Sequence, residues 1–402
     1  MIKIPHSVQY LPALWIASIP YGPSVASIFF VLALIGILIT PPSVKQIRES
    51  IQTTWFVCLM LLTAWTVLSL FWSPEWNHET WSNLKKILRF SLIPLFIPVL
   101  RQESSQKIAI NGFIIGMCIT CLLSVIKWFF VLNWHQDIDA GHIFYNHIIT
   151  GFLCVFAAFC CLNGFYKTPE KRRLYGFAFL LLSIEILMLN PGRAAYILYA
   201  SLWTGVIWHK TPSKFRLPAL ILCSFGFVSF FHLSPMLQER LHDVFSDIHN
   251  LKQGVQSTSL GFRWQFYQFS YQLFQKHIWI GNGLGAYGFY FQILNPVADW
   301  LGPPNPHNQY ALIAVEQGII GLGLTFVLFY QWWKNMSITG QFFIVLLAIN
   351  GLSDVILNAC PGQLFLGIAA ISLAQRHKTS VVAEKNPAKD FSPLLENNLH
   401  QT

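Results

Sequence analysis

Long apolar runs separated by short polar breaks recur along most of the chain. Runs at 11–21, 22–40, 55–72, 87–100, 108–132, 143–165, 174–190, 193–208, 217–233, 307–330, 341–357 and 360–374 approach or reach the length that lets a helix cross a bilayer, roughly 20 residues. The pattern predicts an all-α polytopic membrane protein with about 12 transmembrane helices. The run at 87–100 is short and follows Lys85, Lys86 and Arg89, so it also suits the membrane interface. Between 234 and 305 the pattern changes. Phe262, Phe266, Phe269 and Leu273 recur with helical spacing, which predicts an amphipathic helix at about 262–277 with Ser259 as its cap. Trp264, Tyr267, Tyr271 and Phe274 add a second aromatic stripe suited to a membrane surface. Periodicity alone equally allows the helix to cap a bundle. The chain thus divides into a membrane-embedded domain at 1–374, which includes the 234–305 loop, and a polar tail at 375–402 that reads as disordered. No repeat of fixed period is evident, and no cleaved signal is expected in the first 30 residues.

Composition agrees: 54% of the 402 residues are hydrophobic and 11% charged, against about 25% charged in soluble domains. The net charge of +9 raises the question of nucleic acid. The distribution of the charge answers it. With the N-terminus inside, the cytoplasmic segments hold 17 of the 26 basic residues. The long loop balances Arg240, Lys252, Arg263 and Lys276 against Glu239, Asp243, Asp247 and Asp299. This is the positive-inside asymmetry, with both termini cytoplasmic and the loop outside. The basic excess is topology, and a nucleic-acid surface is not expected. All eight cysteines fall within the apolar runs. The Cys118-x-x-Cys121 pair lacks the second pair of ligands a zinc site requires, so no metal is expected there.

Two short segments share one local pattern. Arg193 ends Asn190-Pro191-Gly192-Arg193, and His307 ends Asn305-Pro306-His307. In each, Asn suits the N-cap and Pro the first helical position, which places both residues in the first turn of a helix entering the membrane from outside. Arg263 lies near the start of the loop helix. A cation there opposes the helix dipole unless an anion joins it. Free helical N–H groups beside an arginine fork form a phosphate site, and two such sites suit a diphosphate. Taken singly, each arginine is equally explained as a headgroup anchor and the histidine as a structural residue. Gly283-Leu284-Gly285-Ala286-Tyr287-Gly288 satisfies GxGxxG but lacks the surrounding βαβ unit, and so reads as a tight turn. Glu185, Glu316, Asp354 and Lys127 are charges inside apolar runs, with no role assigned by their spacing. Glu316, close to Gly318 and Gly321, suits interhelical hydrogen bonding. On one continuous helix it would face away from His307, which argues against a His–Glu dyad.

His307-Asn308, nine residues, then Gly318-Ile319-Ile320-Gly321 resembles the histidine signature of the bacterial O-antigen ligase family. Arg193-Ala194-Ala195 is similar to the family's arginine element before a span. Arg263-Trp264 followed by Trp279-Ile280-Gly281-Asn282-Gly283-Leu284-Gly285 is similar to its outer-loop arginine helix and glycine turn. The resemblance covers about 175–330. It implies a GT-C-type glycosyltransferase of the bacterial inner membrane. Such an enzyme moves O-antigen polysaccharide from undecaprenyl diphosphate to lipid A–core on the periplasmic face, with inversion and without metal or cofactor. His307, Arg263 and Arg193 are then the expected catalytic residues, and Arg193, Arg263 and Asn308 the diphosphate ligands. O-antigen polymerases and protein O-oligosaccharyltransferases share the broader module and remain alternatives. A non-catalytic transporter of lipid-linked glycans is the alternative of another class, for which internal repeats and broken midplane helices would be expected.

Overall fold

A computed structural model describes residues 9–130, 143–297, 300, 302, 304–357 and 360–385. It is all-helical, with no strand among the described residues. The first half contains α1 (Leu11–Ser18), α2 (Pro23–Ile39), α3 (Val44–Ile51), α4 (Thr54–Leu68), α5 (His78–Leu88), α6 (Ile93–Val99), α7 (Glu103–Phe130), α8 (His147–Lys167) and α9 (Arg172–Ile184). There follow α10 (Arg193–Lys210), α11 (Ser213–Leu233), α12 (Pro235–Lys252), α13 (Ser259–Lys276), α14 (Ala286–Leu294), α15 (Gln309–Asn335), α16 (Ile338–Asn350) and α17 (Cys360–Lys385).

Helix occupies each of the twelve apolar runs, but not uniformly. Among the described residues, five helical stretches are long and apolar enough to cross a membrane: Thr54–Trp72, Glu103–Phe130, His147–Lys167, Ser213–Phe230 and Gln309–Asn335. Leu11–Tyr21, Pro23–Ile39, Ile338–Asn350 and Gly362–Gln375 are apolar but shorter. The run at 87–100 is broken into the end of α5, a tight turn at Arg89–Leu92, and α6 with Pro98 inside it. Proline removes a helical hydrogen bond, which explains why this run does not form one straight helix. The α17 helix continues to Lys385, so the segment expected as a tail begins as helix, and 386–402 lie outside the described residues. Asp299, one of the charges counted for the long loop, also lies outside them.

Close helix approach is set by small residues. A Cβ on Gly151 of α8 would sit 2.6 Å from the Ala195 Cβ of α10, and one on Gly116 of α7 would sit 2.9 Å from Pro20. Without those glycines the backbones must move apart, as is usual where helices associate in lipid. Aromatic side chains fill the remaining core: Phe156 meets Phe343 edge-on at 4.7 Å, and Trp332 meets Phe365 at 4.6 Å. By contrast, no residue of Ser213–Phe230 is buried, which leaves α11 at the outside of the bundle, with Phe230 packed against the core.

Among its described residues the long loop holds α12, α13 and α14, of which α13 is the expected amphipathic helix. Its α13 is capped by Thr258, whose Oγ1 accepts from the Gly261 N–H at 3.2 Å, one residue earlier than the expected Ser259. The Phe266, Phe269 and Leu273 stripe is buried with Tyr287, Phe291, Leu312 and Val315. It therefore docks the loop onto α15, while Trp264 and Tyr271 stay exposed.

The largest departure from a simple span lies in α15. Gly318 has φ 68° and ψ −168°, which breaks the helix inside the apolar run. The turn after α13 enters this break. Asn282 N–H donates to Val315 O at 2.8 Å and Gly283 N–H to Glu316 O at 3.0 Å. In return, Ile319 N–H donates to Ile278 O at 2.9 Å and Ile320 N–H to Trp279 O at 3.3 Å. The Trp65 indole donates to Gln317 O at 3.0 Å. Every backbone group freed by the break and named here is bound, as an apolar environment demands. Glu316 joins in as an acceptor from Gly285 N–H at 3.0 Å, so its partner is the loop rather than another helix's side chain. The glycine motif is a turn, with Gly281, Gly283 and Gly285 all at positive φ.

Candidate active site

At the start of α15 the expected cap is displaced. Asn305 Oδ1 accepts from the His307 N–H at 2.8 Å, forming a side-chain turn around Pro306. His307 itself sits at φ 48°, a left-handed conformation uncommon for a residue with a Cβ. The true N-cap is Asn308, whose Oδ1 accepts from the N–H groups of Tyr310 at 2.9 Å and Ala311 at 3.0 Å. His307 therefore precedes the helix instead of lying in its first turn. The asparagine that captures two N–H groups wins over the one that captures a single N–H across a proline.

Three neighbours fix the imidazole. Phe266 of α13 stacks on it with ring centroids 5.6 Å apart and 27° between planes. Trp300 meets it edge-on at 5.7 Å. Asp354 Oδ1 lies 3.3 Å from His307 Nδ1, within ion-pair distance though without the alignment of a good hydrogen bond. Asp354 comes from the turn after α16, which is strapped to the start of α15. Gln309 N–H donates to Gly351 O at 2.7 Å, and Leu357 N–H donates to Gln309 Oε1 at 3.0 Å. Tyr267 of α13 adds a bond from its hydroxyl to Leu352 O at 3.2 Å.

Burial by itself would raise the Asp354 pKa, but the contact and charge of His307, the Val355 N–H and the charge of Arg263 outweigh it. The carboxyl is held below its ordinary range and stays ionised. Arg263, half-buried on α13, thus shares one electrostatic environment with Asp354 and His307. Among the described residues it makes no direct ion pair. Its fork is open.

Arg193 is differently placed. It is the first residue of α10, as expected, but Gly192 rather than Asn190 is the N-cap. Asn190 is buried and spent elsewhere: its Oδ1 accepts from Gly192 N–H at 2.7 Å, and its Nδ2 donates to His147 O at 2.9 Å. The Arg193 fork is filled by α12, with Nη1 and Nη2 at 3.2 Å and 3.3 Å from Asp247 Oδ2 and Asp243 Oδ2 at 3.8 Å from Nη2. Arg240 pairs with the same Asp243 at 3.1 Å. The structure brings His307, Asp354 and Arg263 together. It leaves Arg193 engaged with acids of the long loop, in no contact with those three among the described residues.

Asp354 is the member that sequence spacing left without a role. It lies far along the chain from His307, and no periodicity links a turn after one helix to the segment before another. The geometry assembles a ring with one nitrogen held by an ionised carboxylate, a free guanidinium nearby and an aromatic wall. Such a group can accept a proton and stabilise an adjacent anion.

A search of curated proteins with the whole chain finds no match. The family model described as O-antigen ligase matches residues 177–327, a stretch that contains Arg193, Arg263, His307, Asn308 and the Gly318 break. Over that stretch the chain is similar to the O-antigen ligase family.

Proposed function

We propose that this protein is an O-antigen ligase, transferring a completed glycan from undecaprenyl diphosphate to a sugar hydroxyl of lipid A–core. The similarity of residues 177–327 to the O-antigen ligase family supports ligase- or polymerase-like glycosyl transfer in general. The observation that carries the finer reading is the His307–Asp354 pair beside the open fork of Arg263. With Nδ1 facing Asp354, Nε2 is the nitrogen left to take a proton. The acceptor hydroxyl oxygen attacks the anomeric carbon while its proton passes to His307. The bond from that carbon to the diphosphate oxygen breaks, and the leaving group keeps the electron pair. Attack from the face opposite the leaving group inverts the centre.

Arg263 and Arg193 hold the diphosphate and offset its growing charge. Asn308 contributes through its Nδ2, since its Oδ1 is spent on the helix cap. Engagement of Arg193 requires it to exchange Asp247 for phosphate. The reading places the site on the periplasmic face of a bacterial inner membrane. It keeps twelve crossings and cytoplasmic termini, because the basic residues are distributed that way.

A transporter would also use a broken helix, and α15 is broken. The groups freed at Gly318 are bound by the loop turn, however, rather than offered to a substrate. The deciding experiment is the lipopolysaccharide gel of a deletion strain. Loss of a ligase leaves core bands alone, with polymer stranded on the lipid carrier. A core bearing a single repeat would instead identify a polymerase.

A further inference from the structure

A cavity lies away from the His307 site, at the far end of α15. Its volume is about 1270 Å³, and it opens between the C-terminal halves of α8 and α10 and the junction of α15 with α16. From the Gly318 break, which the His307 arm precedes, the second arm of α15 runs to Asn335 at this end, about 25 Å at 1.5 Å per residue. The two sites therefore lie near opposite membrane faces.

The cavity has two chemical halves. In its wall the half-buried rings of Phe159 and Phe342 stack at 4.2 Å, flanked by aliphatic side chains of α10 and α16. At the mouth stand Lys167 and Lys210 with His209, and the lining contains no Asp or Glu. Lys210 rests over the Tyr166 ring, 5.1 Å from its centroid, which holds its ammonium at the rim. The first turn of α16 also lines the space. Its N-cap, Ser337, makes no side-chain cap, because its hydroxyl pairs with that of Ser372 at 2.8 Å. An apolar chamber ending in two ammonium groups and uncapped helical N–H groups matches a molecule with acyl chains and a phosphate head.

We propose that this cavity binds one anionic glycerophospholipid of the adjacent leaflet, its phosphate between Lys167, Lys210 and the start of α16. On the topology above, that leaflet is the cytoplasmic one. The occupant is distinct from the glycan donor, and the proposal does not depend on the glycosyl-transfer reading.

The test is native mass spectrometry of the full-length protein exchanged into micelles containing equal phosphatidylglycerol and phosphatidylcholine. The expected result is preferential retention of one phosphatidylglycerol by about tenfold or more, as two lysines near a phosphate provide. The double variant Lys167→Gln, Lys210→Gln should lose that preference and remain folded, since both side chains are exposed. Gly205→Leu is a second variant. A Cβ there meets only Phe342, at 4.0 Å, so the side chain enters the cavity and should expel the lipid without changing charge. Equal retention of the two lipids by the wild type, or an unchanged preference in either variant, overturns the proposal.

Discussion

Both terminal nitrogens of Arg193 bind a single oxygen of Asp247, at 3.2 Å and 3.3 Å. The side chain expected to grip a diphosphate is thus held by a carboxylate of α12, and the two anions compete for one fork. Asp247→Asn should therefore lower the donor KM by up to about tenfold with kcat little changed, because the competing charge is removed while Asp243 stays nearby. Kinetics with purified lipid-linked donor measure this. A fall in kcat would show that Asp247 orients the arginine rather than masking it.

Arginine and lysine differ in geometry, not charge. If Arg193 and Arg263 each engage diphosphate through the planar fork, Arg193→Lys and Arg263→Lys should both lose most transfer activity while protein levels in the membrane stay normal. Full activity in either variant reduces that arginine to a headgroup anchor.

His307→Ala should lower turnover by on the order of 10²–10⁴ with donor binding retained. Asp354→Asn should keep the ring in place yet lower kcat by roughly 10²-fold or more, since the carboxylate both orients Nδ1 and stabilises the imidazolium. Stability gives an independent reading. The Asp354 pKa is lowered from 3.8, so between the two values the unfolded chain binds the proton more readily. Its contribution is complete above 3.8 and is lost as pH falls through the lowered value. Thermal unfolding should show wild type ahead of Asp354→Asn at neutral pH, with the gap closing only in strong acid. A gap independent of pH would remove the ionised carboxylate from the argument.

Reporter fusions test the orientation. Positions near 170 and 212 should read cytoplasmic and one near 250 periplasmic, from the placement of Lys167, Lys171, Arg172, Arg173, Lys210, Lys214 and Arg216. A cytoplasmic signal at 250 would move the His307 site to the wrong face for a periplasmic transfer.

Much of this was legible in the chain. Apolar length located the helical segments, because in lipid the backbone must satisfy itself locally. The stripe of Phe266, Phe269 and Leu273 located α13. What spacing did not show were relationships between distant segments. Asp354 reaches His307 through a strap of Gln309, Gly351 and Leu357, and nothing local marks that strap. Asn305 and Asn308 are both good caps three residues apart, and only the geometry around Pro306 chooses between them. The break at Gly318 was hidden because a glycine in an apolar run looks the same whether it packs a helix or interrupts one.

That ambiguity can be resolved within α15 by three glycines of unequal standing. Gly318 sits at φ 68°, and a Cβ there would collide with backbone of Trp279 and with Gly281 N. No side chain can move aside to relieve it, so Gly318→Ala should cost about 2–4 kcal/mol and dislodge the turn that fills the break. Arg263 and the aromatic wall of His307 ride on the α13 helix that this turn secures, so activity should fall with stability. Gly321 is part of the same sequence signature, and a Cβ there would collide with the Cβ of Gln317, which is fixed to the backbone and cannot rotate away. Its own φ is ordinary, so Gly321→Ala carries the steric cost without the added backbone strain and should cost about 1–3 kcal/mol. At Gly323 nothing lies within 4 Å, and alanine there should be neutral or stabilise the helix by up to about 1 kcal/mol. Thermal unfolding of the three variants in one detergent measures the order. If Gly318→Ala proves as benign as Gly323→Ala, α15 is continuous in the membrane and the loop turn must find its hydrogen bonds elsewhere.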